Sequence, residues 1–218
     1  MVELMFQCLP RRSGWVSMEI RVIEEFYINK QIKQRSHMKG SKLDGICEFY
    51  DMDGNLEQRV NFKEGNLDGF LETYIKGELS SKRSFKEGYL DGPTELFDET
   101  GTLSATINFK RDLRNGVSRF WNKGQCVREA NYKDGLLEGL TEDFTADGIL
   151  IQRATYLRGQ LDGVIFRFWL NGNIMEETDY SNGEVVGESR LYDERGKRIS
   201  DKKEKNMVGT LTKVFRGE

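Results

Sequence analysis

Nine aromatic residues recur along the chain at a nearly constant interval: Tyr27, Tyr50, Tyr74, Phe97, Trp121, Phe144, Phe168, Tyr192 and Phe215. The steps between them are 23, 24, 23, 24, 23, 24, 24 and 23 residues. A period in that range marks a repeat architecture, in which units stack and none buries a core alone. Such arrays present long binding surfaces and rarely assemble a catalytic pocket.

Other columns keep the same period. A Gly-containing turn precedes each aromatic, as in Leu43-Asp44-Gly45, Leu67-Asp68-Gly69, Leu90-Asp91-Gly92, Leu137-Glu138-Gly139 and Leu161-Asp162-Gly163. A second Gly and an apolar residue follow it, as in Gly54-Asn55-Leu56 and Gly148-Ile149-Leu150. Six residues beyond that apolar position stands another aromatic: Phe62, Phe85, Phe109, Tyr132, Tyr156 or Tyr180. Segments of about six residues between Gly turns have strand length and are too short for helices.

The turn lengths predict hairpins with Tyr50 opposite Leu56, Tyr74 opposite Leu79 and Trp121 opposite Cys126. Both loop lengths place Gly at positive φ, so swapping one for the other absorbs the 23/24 alternation without loss of register. Strict alternation then puts Leu56, Val60 and Phe62 on the side of Tyr50, with Glu57, Arg59 and Asn61 facing away. If Phe62 pairs with Leu67, Tyr74 follows seven residues later, an odd distance that lands it on the wrong side. A bulge has to restore it, and the Gly69 column is the expected place. The fold class expected is all-β: an elongated single-layer antiparallel β-meander of about eight tandem 23–24-residue hairpins. Residues 1–17 stand outside the period as a cap or tail, and 18–218 form the array. The segment from Tyr27 to Ile32 reads as a degenerate first repeat with the spacing of Tyr74 to Leu79, and Glu204 in an aromatic column marks a worn last one.

Hydrophobic content of 37% suits a sheet with a large exposed surface, and 23 glycines with two prolines suit many turns. A formal charge of −3 offers no basic face for nucleic acid. Cys8, Cys47 and Cys126 are odd in number and lack metal-ligand or redox spacing, which suits structural thiols in a reducing, cytoplasmic setting. No run of 18 apolar residues spans a membrane, and the first nine residues lack the basic start of a secretory signal.

The pattern from Lys133-Asp134-Gly135-Leu136-Leu137-Glu138-Gly139 through Phe144, Asp147-Gly148-Ile149-Leu150 and Tyr156 resembles the bacterial variant of the MORN repeat. The resemblance runs from about residue 27 to 215. It implies an elongated twisted β-meander used as an interaction scaffold, and a bacterial branch of such proteins consists of antitoxins or immunity proteins. The partner class it implies is therefore another protein, a toxin among the possibilities. Its alternative is a module binding carbohydrate or membrane lipid through the aromatic stripe, which would then have to be open to solvent. Asp112 and Arg114 depart from the pattern, so a distorted fourth inter-repeat turn is expected.

Chemistry is sparse. His37 is the sole histidine and lies beside a turn, which excludes His-based metal clusters and argues against a His-driven triad. Glu48, Glu72, Glu95 and Glu142 recur at one strand position and form a ladder in like environments, not an acid and base with separated pKa values. No phosphate-binding or nucleophile-elbow motif occurs in a strand-to-helix context. The expectation is a non-enzyme with neither metal nor cofactor. Function then falls to residues that break the period. Trp169 occupies a column otherwise filled by Asp51, Ile75, Asp98, Asn122, Thr145 and Asp193, and Phe166 replaces the column Glu in the same strand. Phe120, Asp143 and Arg167 share one further variable column. Together they are the candidate partner-binding residues, since aromatic anchors dominate interface energetics; the blander reading is local packing of Trp169.

Overall fold

A computed structural model describes residues 19–199. Residues 1–17, Cys8, Glu204 and Phe215 lie outside the described residues. Among the described residues, eighteen strand segments form one sheet and none is helical. Neighbouring strands pair antiparallel, from Ile20–Phe26 on Ile32–Lys39 through to Ile174–Ser181 on Arg190–Leu191. Where a strand is broken at its bulge the one before it pairs with both pieces, as Leu103–Lys110 does with Leu113–Arg114 and Gly116–Asn122. The expected cross-strand partners meet: Tyr50 with Leu56, Tyr74 with Leu79, Trp121 with Cys126 and Phe62 with Leu67.

The first repeat is framed differently from the aromatic count. Phe26 faces Ile32, as Tyr50 faces Leu56. Tyr27 is the next residue along and starts the turn, with its N–H on the Gln31 carbonyl just as the Asp51 N–H is on Asn55. Phe26 therefore heads the structural aromatic column Tyr50, Tyr74, Phe97, Trp121, Phe144, Phe168 and Tyr192, and Tyr27 belongs to the column of Asp51 and Trp169. An aromatic one place along hid the extra loop residue.

The bulge demanded by parity is present. Val60 faces Leu71 while Phe62 faces Leu67, so the loop of backbone Asp68-Gly69-Phe70 lies opposite Asn61 alone. Gly69 sits at φ 110°, and Gly45, Gly92 and Gly163 sit between 107° and 111°. The column opposite the bulge caps it: Asn108 and Asn131 donate to the carbonyls of Val117 and Leu140, and His37 bonds that of Ile46 through Nδ1. His37 is thus a bulge-capping group in the column of Asn108 and Asn131.

The conserved spacing of Leu-Asp-Gly turns has a direct cause across repeats. The Leu43 carbonyl accepts the N–H of Gly65, and the Asp44 carboxylate accepts that of Glu64. Leu67 with Asp68, Leu90 with Asp91, Leu137 with Glu138 and Leu161 with Asp162 do the same for the turn that follows. Each carboxylate steadies a turn residue held at positive φ, such as Glu64 at 50°. The fourth inter-repeat turn is not distorted. Asp112 takes φ 67° and sends its N–H to the Leu90 carbonyl, so an Asp stands in for Gly in a left-handed position that Asp tolerates.

A second register shift, close to each hairpin tip, overturns the assignment of sides. Phe49 faces Gln58 but Tyr50 faces Leu56, leaving Glu57 as an extra residue; Phe97, Phe144 and Phe168 follow equivalent shifts. Val60 consequently faces Cys47, three residues from Tyr50 and on the opposite side, whereas Arg59 faces Glu48 on the side of Tyr50. The two sides are therefore an aromatic-and-charged side and a small-residue side, not an apolar side and a wet one.

Candidate functional site

On the tyrosine side, the expected Glu column is half of an alternating ladder. Arg35, Glu48, Arg59, Glu72, Lys82 and Glu95 face one another in succession across six strands. Ion pairs run from Arg59 to Glu48 at 3.1 Å and to Glu72 at 3.6 Å. Tyr50 and Tyr74 donate their hydroxyls to Glu48 and Glu72. Burial pushes the Glu48 carboxyl up, but the hydrogen bonds from Tyr50 and Arg59 outweigh it and hold the carboxyl below its ordinary range. From Arg35 to Lys82 the ladder is joined by ion pairs, and its half-exposed pairs contribute at most about 1 kcal/mol each. From Tyr50 to Tyr192 the aromatic column beside it is half-buried, while Phe26 at its head is exposed.

The small-residue side is built around a central line in which Ser36 faces Cys47, Cys47 faces Val60 and Val60 faces Leu71. Farther along, Ala130 faces both Ser118 and Thr141, and Thr141 faces Ala154. Cys47, Ser118, Ala130, Thr141 and Ala154 are 0–2% exposed in a single-layer sheet. Small side chains at the centre let larger neighbours close over them. One set of neighbours is the second aromatic column, Phe62 to Tyr180; the other is the variable column.

That variable column is where the sequence candidates assemble. Phe120 faces Arg128, Arg128 faces Asp143, Asp143 faces Gln152, Gln152 faces Arg167 and Arg167 faces Glu176. Arg128 lies 3.2 Å from Asp143, Gln152 donates to Asp143 at 3.4 Å, and Arg167 donates to Gln152 and, at 2.8 Å, to Glu176. A continuous polar row from Arg128 to Glu176 thus crosses five strands, with Phe120 beside it on a sixth. Burial pushes the Asp143 carboxyl up against the pull of Arg128. The row ends at a cleft of about 150 Å³ lined by Ile165, Arg167, Glu176, Thr178, Tyr180, Val185 and Ser189. In the preceding repeats the same column is uncharged after Glu25, which opens it opposite Gln34: Gln34, Phe49, Gln58, Thr73, Ser81, Leu96 and Ala105 follow. The charge change falls between Phe120 and Arg128, a contrast invisible until register aligned the strands.

Trp169 lies at the end of this row. It packs on Met175 and Leu191 with Ile199, and its indole N–H donates to the Tyr192 carbonyl at 3.1 Å. Tyr27 does likewise in the first repeat, its hydroxyl donating to the Tyr50 carbonyl at 2.7 Å. Asn29 and Asn171 repeat the parallel by donating to Met52 and Glu194. Both aromatics therefore clasp the following hairpin. Phe166 is not part of the row: it takes a ladder position between Arg153 and Glu177 on the tyrosine side and stacks on Phe168 at 6.3 Å.

Two features escaped the sequence reading. Arg83 interrupts the small-residue line between Leu71 and Thr94 and is exposed, without an ion pair among the described residues. Ile46, Phe70, Pro93, Val117, Leu140 and Val164, each next to a bulge Gly, form an apolar stripe along the tyrosine side; Phe70 carries Lys82 4.2 Å above its ring. Six apolar residues at one repeat position were the available signal. Among the described residues, no cluster of His, Cys, Asp or Glu could hold a metal ion, and no helix is long and apolar enough to cross a membrane.

Residues 43–64 and 161–182 match the model of the MORN repeat variant. Both segments span a bulge strand, a hairpin tip and its return strand. No curated protein matches the chain. Among solved structures, a mutant of S. aureus TarM in complex with Fondaparinux, alpha-GlcNAc-glycerol and UDP is similar at 18% identity and a TM-score of 0.31. That match covers 43% of this chain and 19% of the other, and a similarity so partial carries no argument about fold or function. The two repeat matches, set in a sheet that repeats the same unit from end to end, support a MORN-repeat protein.

Proposed function

We propose that the chain is a non-enzymatic repeat scaffold that binds another protein through the row Phe120, Arg128, Asp143, Gln152 and Arg167, with Trp169 holding the end of that row in shape. The carrying observation is the polar row itself. Charged groups gather in one column of one half of an otherwise regular array, and Asp143 stays there although burial disfavours its charge. Groups held against their own solvation preference cluster at functional sites. Rows of this kind confer specificity, because a wrong partner leaves Arg128, Asp143 or Arg167 desolvated and unmatched.

Among protein partners, the resemblance to bacterial MORN-variant antitoxins and immunity proteins makes a toxin the class to test first. A cytoplasmic location belongs to the same proposal and agrees with free Cys47 and Cys126. The test is co-purification from the native cell with wild type and with a Phe120→Ala/Arg167→Ala variant run side by side. The reading expects a partner retained by wild type and lost by the variant at unchanged melting temperature. A partner retained equally by both would remove the row as its site.

A further inference from the structure

The first described strand, Ile20–Phe26, differs from every other strand longer than two residues. Its seven residues are all exposed, with Ile20 at 57%, Val22 at 54% and Phe26 at 55%. It pairs with Ile32–Lys39 on one side, and among the described residues nothing pairs with its other side. At the other end of the described residues the pairing is sparser, with the two-residue segment Arg190–Leu191 and a bridge from Tyr192 to Arg198. A long edge with free backbone donors and acceptors is a template for another strand unless Pro, a bulge or repelling charge protects it. This edge has no Pro or Gly, and its one register shift falls at its last residue.

Run antiparallel about Ile23, its sequence, Ile-Arg-Val-Ile-Glu-Glu-Phe, is complementary to itself in three of the four kinds of contact, the fourth setting Val22 against Glu24. Ile23 then meets Ile23 of the second copy, Arg21 meets Glu25, and Ile20 meets Phe26. The two Arg21–Glu25 contacts flank the Ile23 pair on one side of the sheet, because these three residues alternate with the rest. The charges are distributed for it. Glu24 is already engaged by Arg35 at 2.8 Å, whereas Glu25 has no ion pair among the described residues. Sliding the register by two residues destroys the match: one slide sets Glu24 against itself, and the other sets Arg21 against Ile23. Opposite charges directly facing across strands are favourable and like charges unfavourable.

The geometry points to a homodimer formed by antiparallel pairing of the two Ile20–Phe26 edges, a two-fold contact that closes on itself and extends one sheet through both chains. Sedimentation of the full chain over a dilution series tests it, with the single swaps Arg21→Glu and Glu25→Arg and the double swap. The wild type is expected at the mass of two chains, dissociating on dilution. Each single swap sets like charges together twice and should weaken association by about tenfold or more. The double swap should restore it. Ile23→Lys, which opposes two lysines at the centre, should also give single chains, and circular dichroism of each variant should match the wild type. Single chains at every wild-type concentration would overturn the proposal, and so would single swaps as tight as wild type or a double swap no tighter than the singles.

Discussion

Replacing Gly69 tests the bulge on which the repeat depends. Gly69 sits at φ 110°, and a Cβ built there lies 2.9 Å from the Asn61 Cβ and 3.0 Å from its amide nitrogen. Asn61 cannot easily retreat, because its strand is held in register against Ile46 on the neighbouring strand. Two costs therefore add: backbone strain at a positive φ of about 1–3 kcal/mol, and overpacking of about 1–3 kcal/mol. Gly139 supplies the control within the same column. Its φ is 84°, but nothing lies within 4 Å of a Cβ there. Gly139→Ala should carry the strain alone, and Gly69→Ala should exceed it by about 1–3 kcal/mol, the overpacking cost by itself. Gly69→Val, branched at Cβ, should lose about 4 kcal/mol in all, a fall of roughly 8–16 °C for an array of this size. Urea and thermal unfolding followed by circular dichroism read both. A Gly69→Val chain melting within a degree of the wild type, or equal losses for Gly69→Ala and Gly139→Ala, would refute the reasoning.

Trp169→Ala should lower stability by about 2 kcal/mol, since it removes packing on Met175 and Leu191 and the indole bond to Tyr192; an unchanged melting curve with weakened partner binding would instead make Trp169 an exposed anchor. Asp143→Asn should stabilise the chain at neutral pH. A carboxyl whose folded pKa is raised costs stability as pH rises above its ordinary value of 3.8, so the gain should vanish in more acid solution. Glu48 has the opposite sign: its lowered pKa contributes stability that is complete above about pH 4.5 and lost as pH falls through the folded value, so Glu48→Gln should flatten the acid limb of the stability curve. Glu138→Ala deprives the Arg158 N–H of its 2.7 Å acceptor and should cost about 1 kcal/mol in urea unfolding.

Much of the fold was legible because the period fixes which residues can face one another. The Tyr50–Leu56, Tyr74–Leu79 and Phe62–Leu67 partners follow from loop length alone, and an odd count of residues exposes the Gly69 bulge. The side assignment failed for a local reason. The second shift, at Glu57 and its equivalents, involves no glycine and leaves the spacing from Tyr50 to Leu56 unchanged, so nothing in the pattern announces it. One unannounced bulge reverses every residue behind it, which is why Arg59 and Val60 exchanged sides. The candidate site was half legible. The variable column put Phe120, Asp143 and Arg167 in one row, but Arg128 and Gln152, which lie between them, and Glu176 come from the return strands, whose register waited on that same bulge. Phe166 was drawn in by its place in the sequence, and parity keeps it on the other side.

That shift in register is the central claim, because it decides which residues make the ladder and which make the row, and a cysteine pair reads it directly. Cys47 faces Val60 across adjacent strands, and pairing without the shift would set Arg59 against it instead. Facing residues in such a sheet lie within the reach of a disulfide. Val60→Cys and Arg59→Cys chains would be oxidised mildly in the native state and the linked peptides identified by mass spectrometry. The account predicts a Cys47–residue 60 bridge in the first chain and no bridge to Cys47 in the second. A bridge from residue 59, with residue 60 left reduced, would contradict it.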